Sequence, residues 1–111
     1  MIQIYTEQER DVAILAVEGH LDTKTAKQAE DAINEALDGG ANKLCIDFDK
    51  LDYISSVGLR VLLATMKRLK KSGGKLHLCG MNATVKEVFV ISGFSNIFSI
   101  FGTRAEALAA M

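Results

Sequence analysis

The sequence contains no proline and no tryptophan, and only two cysteines. Without proline there is no Pro-rich linker, and no stretch has the biased composition of a disordered tail. Cys45 and Cys79 each lie inside an apolar run, where a thiol reads as a small buried hydrophobe and not as part of a disulfide framework. No apolar run approaches the ~20 residues of a membrane helix. The opening MIQIYTEQERD lacks a basic stretch followed by an apolar one, so no secretory signal is expected. Charge of one sign is missing too: 13 basic residues stand against 14 acidic ones, a net charge of −1. That removes the electrostatic case for nucleic acid or an anionic membrane as the main partner. Together these absences lead to the expectation of a reduced, cytoplasmic, soluble protein.

What is present is an ordinary globular composition, 49% apolar and 24% charged over 111 residues. A chain of this length is expected to form one compact domain, residues 1–111, with a real core. Ile2 and Ile4, with Thr6 in phase, alternate with polar neighbours as on a half-buried edge strand. Gln8–Asp11 reads as a polar turn. The continuous run Val12–Val17 suits a strand buried on both faces, and Gly19-His20-Leu21-Asp22 breaks it.

A helix is predicted from about Thr23 to Asp38, capped by Asp22 or Thr23, with Ala26, Ala29, Ile33, Ala36 and Leu37 on one face. Gly39-Gly40 stops it. Lys43–Phe48 reads as the next strand and Asp49–Ile54 as a short loop. A second helix from about Ser56 to Ser72 carries the stripe Leu59, Leu62, Leu63, Met66 and Leu69. Lys67, Arg68, Lys70 and Lys71 crowd its last turns, where cations complement the helix dipole and face solvent. Then come a strand at Lys75–Cys79, a helix capped by Asn82 and running to about Ser92, a strand at Ile97–Phe101 and a helix capped by Thr103. Strands that alternate with helices imply parallel pairs joined by right-handed crossovers. The first two strands, joined by a short polar turn, should be antiparallel. The expected fold class is α/β: a small mixed β-sheet with helices packed mainly on one face.

The most informative stretch is Asp47 to Gly58, DFDKLDYISSVG. It places Ser55 and Ser56 at the start of an amphipathic helix. The first backbone N–H groups of a helix have no partner within it, and they favour an oxygen or an anion placed there. A serine at this point serves either as an N-cap, worth ~1 kcal/mol, or as a phosphorylation site. A phosphate brings about −1.5 to −2 charges and three strong acceptors. The fold should tolerate that charge, so its effect would fall on a partner.

Asp52-Tyr53-Ile54-Ser55-Ser56-Val57-Gly58-Leu59 resembles the signature of STAS domains, as found in bacterial anti-sigma factor antagonists. Gly19-His20-Leu21-Asp22 is similar to the family's G-x-L-D. Gly73-Gly74-Lys75-Leu76 and Val85–Gly93, with its Ser92-Gly93 close, match in the same order. The resemblance spans nearly the whole chain. It implies that Ser56, two residues before the helix glycine, is the phosphorylated serine. The common pattern has an aspartate directly before that serine. Here Ser55 stands there, which removes a negative charge and supplies a second hydroxyl, so Ser55 is the minor alternative.

The resemblance further implies partner switching. The unmodified protein binds an anti-sigma factor that is itself a serine kinase with ATP and Mg²⁺, phosphorylation releases it, and a metal-dependent serine phosphatase restores it. The contact surface would comprise Gly19, His20, Leu21, Asp22, Ser55, Ser56, Val57, Gly58 and Arg60. The alternative is a STAS interaction module that is not phosphorylated and serves another signalling or transport complex.

Other constellations carry less. His20, Asp22 and the serines suggest a catalytic triad, but no G-x-S-x-G elbow is present and no enzyme is expected. His77 and Cys79 alternate on one strand with Cys45 on another, short of the three or four converging ligands a metal needs. The glycines form neither G-x-G-x-x-G nor a Walker A loop. Neither cofactor nor metal is expected.

Overall fold

The computed structural model describes residues 2–111. Its elements are β1 (Ile2–Glu9), β2 (Val12–Leu21), α1 (Ala26–Asp38), β3 (Lys43–Asp47), β4 (Leu51–Ile54), α2 (Ser56–Lys71), β5 (Lys75–Cys79), α3 (Ala83–Ile91), β6 (Ser99–Phe101) and α4 (Arg104–Ala109), with a 3-10 turn at Phe94–Asn96 before β6. The strands form one mixed sheet in the order β1-β2-β3-β5-β6, and β4 pairs with the far half of β2. The β1–β2 hairpin is antiparallel and every other pairing is parallel, as expected for strands separated by crossover helices.

Side chains alternate across the strands and so build two cores. On one face Ala13, Leu15, Leu44, Ile46 and Leu78 meet Ile33 of α1, Leu59 and Leu62 of α2, and Val85 and Phe89 of α3. On the other, Val12, Ile14, Cys45 and Cys79 are covered by Ala107 of α4. Three helices therefore share one face and a single short helix sits on the other. The two free thiols are buried with their sulfurs 3.8 Å apart. Contact with Cys45 and burial both push the Cys79 thiol pKa up. His77 packs beside them, its Nδ1 2.9 Å from the Ala107 carbonyl oxygen and its ring 4.7 Å from that of Phe101.

Five expectations need correction. The hairpin turn is tighter than Gln8–Asp11, because Gln8 and Glu9 remain in β1. Gly19-His20-Leu21 does not break β2, which runs on to Leu21. Asp49–Ile54 is not only a loop: Leu51–Ile54 forms β4. The register between β2 and β4 shifts at Gly19/His20, where Gly19 faces Leu51 but His20 faces Tyr53. Gly19 takes φ +105 there, a backbone conformation that only glycine adopts at little cost. Asp52 is the extra residue, so Leu51 and Ile54 both reach the core although three apart. Finally, α1 starts at Ala26, after a turn over residues 23–25, and β6 starts at Ser99 because the 3-10 turn takes up the residues before it.

The chain's last helix is fastened by charge. Arg104 Nε donates to Asp47 Oδ2 at 2.8 Å and Nη1 to Glu7 Oε2 at 3.1 Å, while the Asp47 side chain is only 11% exposed. Arg104→Gln leaves that carboxylate without its cation and should cost about 1–3 kcal/mol. Lys43→Gln breaks only a surface pair with Asp11 and should cost under about 1 kcal/mol. Urea unfolding midpoints check both.

Candidate functional site

The site is built where α2 meets the end of β2. The Ser55 N–H donates to the Leu21 carbonyl at 2.9 Å, so the start of α2 is hydrogen-bonded onto the strand end. Gly58 completes the seat. A Cβ added there would lie 2.9 Å from Leu21 Cγ, from the Leu21 carbonyl oxygen and from Ile54 Cγ1. Only a residue without a side chain lets the first turn of α2 approach this closely.

The two serines have different environments. Ser55 is the N-cap, with extended backbone (φ −98, ψ 174), and its Oγ accepts from the Gly58 N–H at 3.4 Å. Its hydroxyl is half-buried and engaged. Ser56 is the first helical residue; it is exposed, and its hydroxyl makes no side-chain hydrogen bond among the described residues. No acidic residue stands in the first turn of α2, so the positive end of the helix dipole is uncompensated. Arg60 lies four residues on, one turn along the helix, and is exposed.

The strand end contributes the other half of the surface. His20 is exposed and its ring stands edge-on to Tyr53 at 6.3 Å. Asp22 organises the turn after β2: its Oδ1 accepts from the Lys24 N–H at 3.0 Å and the Thr25 N–H at 3.3 Å, and the Thr25 hydroxyl in turn donates to the His20 carbonyl at 2.7 Å. Partial burial pushes the Asp22 carboxyl up, but the bonds from Lys24 and Thr25 outweigh it and hold the pKa below the ordinary 3.8. A groove of about 370 Å³ adjoins, lined by Thr23, Ala26, Lys27, Glu30, Val57, Arg60 and Val61.

Nine residues carried the expected contact surface. His20, Ser56 and Arg60 are exposed, and Asp22, Ser55 and Val57 are half-buried beside them. Leu21 and Gly58 are buried, and they shape the surface from below without offering contact. Gly19 serves the bulge and lines a separate depression with Ile2, Gln3 and Lys50. Sequence reasoning missed Tyr53 and Thr23, because the stretch holding Tyr53 read as a loop and Thr23 as helix. The signal for Tyr53 was a large aromatic beside the serines.

The chain matches the family model of the STAS domain over residues 3–107. It is 40% identical to BtrV of Bordetella bronchiseptica, named as a candidate anti-sigma factor antagonist, over 87% of this chain and 84% of that one. The fold superimposes on the crystal structure of an anti-sigma factor antagonist from Mycobacterium paratuberculosis with a TM-score of 0.91 and 27% identity, covering 99% of this chain and 93% of the other. It also matches SpoIIAA, an anti-sigma factor antagonist solved in its unphosphorylated form, with a TM-score of 0.80 and 26% identity over 96% and 93% of the two chains.

Two measurements follow from this geometry. Gly58→Ala should lower stability by about 1–3 kcal/mol through overpacking. Ser56→Asp, which adds a charge at the uncompensated helix end, should be neutral or stabilise by up to about 1 kcal/mol. Equal losses in the two thermal unfolding curves would contradict the assignment. Because the Asp22 pKa is depressed, its contribution is complete above 3.8 and fades as pH falls through the lower folded value. The Lys24 and Thr25 amide resonances should therefore titrate with a midpoint under 3.8.

Proposed function

Because this chain belongs to the STAS domain family, we propose that it acts as an anti-sigma factor antagonist whose binding is switched by phosphorylation of Ser56. It is a regulatory binding protein and not an enzyme. The observation that carries the reading is the division of labour between the serines: Ser55 is occupied as the cap, and Ser56 is exposed and free at an uncompensated helix N-terminus. The relatives' names support the antagonist role.

In its unmodified form the protein docks an anti-sigma factor with serine kinase activity on the surface of His20, Asp22, Ser56, Val57 and Arg60. Phosphate on Ser56 is accommodated locally by the first free amides of α2 and by Arg60. The domain stays folded, and the added charge and bulk stand in the partner's footprint. A serine phosphatase resets the switch.

The test uses the purified protein with Mg-ATP and candidate kinase-type anti-sigma factors, followed by mass spectrometry of the 52–60 peptide. Phosphate is expected on Ser56 and none in Ser56→Ala. Ser56→Asp should weaken binding to the kinase about tenfold or more, whereas Ser56→Ala should bind but resist release. Phosphate on Ser55 or elsewhere, none at all, or equal binding by both variants would overturn the Ser56 switch. The last two outcomes would favour an unphosphorylated STAS module serving another signalling or transport complex.

A further inference from the structure

The near-neutral net charge conceals a strong segregation. Residues 53–86 contain seven of the 13 cations and none of the 14 acids, so six cations face fourteen acids in the rest of the chain. Much of this positive charge collects at the C-terminal end of α2 and the start of β5. From Ser56 to Lys70 the helix rises about 21 Å, so this basic pole lies far from the serine surface.

A cleft of about 350 Å³ opens at that pole. Met66 and Leu69 of α2 form one wall, and Ile97 and Phe98, just before β6, form the other; Lys70 and Lys75 contribute to the lining, and no acidic residue does. Ile97 is 47% exposed. Both lysines are exposed and neither is in an ion pair among the described residues. Ser99 of β6 also lines the cleft. Among the described residues β6 is the terminal strand of the sheet and pairs only with β5, so one edge of its backbone is open to an extended chain.

We propose that this cleft is a second docking site, for an extended acidic segment of a partner protein that inserts an apolar side chain between α2 and Ile97 and lays its backbone along β6. Three features select this occupant. The lysines demand negative charge. The apolar atoms line a recess, which admits a side chain but does not protrude into a bilayer. The open strand edge recognises a peptide backbone. A nucleic acid would want exposed aromatic faces for stacking, and Phe98 is 7% exposed. A second copy seating its acidic part here would form a head-to-tail contact, which leads to a ring or a filament and not to a two-fold dimer. The proposal stands apart from the Ser56 reading and uses different residues.

A fluorescent peptide of glutamates around a central phenylalanine is the probe. Its anisotropy should rise saturably with the full chain and fall back as salt is raised. Lys70→Glu/Lys75→Glu should weaken it about tenfold or more, and Lys70→Gln/Lys75→Gln should weaken it less. Amide shifts should map to Lys70, Lys75, Ser99 and Ile100. Replacing the peptide's phenylalanine by serine should abolish binding. Absence of binding, shifts centred on residues 53–60, or indifference to both lysine variants would overturn the proposal. So would tighter binding of phosphatidylglycerol vesicles or duplex DNA than of the peptide, or self-association by light scattering.

Discussion

The contact on which the site depends is the close seat of helix α2 on the end of strand β2. One hydrogen bond, from the Ser55 amide to the Leu21 carbonyl, and one missing side chain, at Gly58, set it. The approach fixes where Ser56 emerges, and it brings the turn after β2 alongside the first turn of the helix. The bulge opposite Gly19 belongs to the same arrangement. It lets Leu51 and Ile54 both enter the core, so that β4 ends with Ile54 buried beneath the seat and Ser55 directly at the cap. Any side chain at Gly58 must push the helix off the strand, and the serine surface would then lose its second half.

The electrostatics are arranged along the same helix. Its N-terminal turn carries no acid, and its last turn carries Arg68, Lys70 and Lys71. The cations complement the dipole at the C-terminus, while the N-terminus is left open to an incoming negative charge. A phosphate there meets unpaired N–H groups and an arginine one turn on. The helix is thus suited to receive modification at one end and to present a basic pole at the other, and neither use requires the backbone to change.

Much of this was legible in the sequence, because much of it is local. Asn82 and Thr103 have the side chains and positions of caps, and they do accept from the Val85 and Glu106 amides; a capping residue acts within three positions, and such short-range chemistry survives in a string of letters. The span of α2 was equally plain from its stripe. What was hidden depends on pairing across the sheet. β4 has four residues, and its buried positions are three apart because of a bulge whose partner glycine lies more than thirty residues away. Read alone, Leu51-Asp52-Tyr53-Ile54 has no strand period, and Gly19 looks like a break. The start of α1 misled for a similar reason: Asp22 does cap a turn, but one that precedes the regular helix. Leu21 and Gly58 belong to the motif and yet lie under the surface, since a signature records what builds a site as well as what touches a partner.

This distinction bears on how a switch of this kind must work. Modification of the serine that caps its own helix places a bulky group on the very oxygen that accepts from the Gly58 N–H, and any loss of that bond costs about 1 kcal/mol. The serine one residue later pays no such cost, because its hydroxyl holds nothing in place. A fold that separates the two roles between Ser55 and Ser56 can change its surface charge by nearly two units while every contact of the seat, from Leu21 to Gly58, remains as it was. Selectivity between the two states then has to be read by the partner at the surface and not transmitted through the core. Around Ser56 the surface combines exposed His20, Tyr53 and Arg60 with half-buried Asp22, Ser55 and Val57, while Leu21, Ile54 and Gly58 one layer below are closely packed and hold it in place.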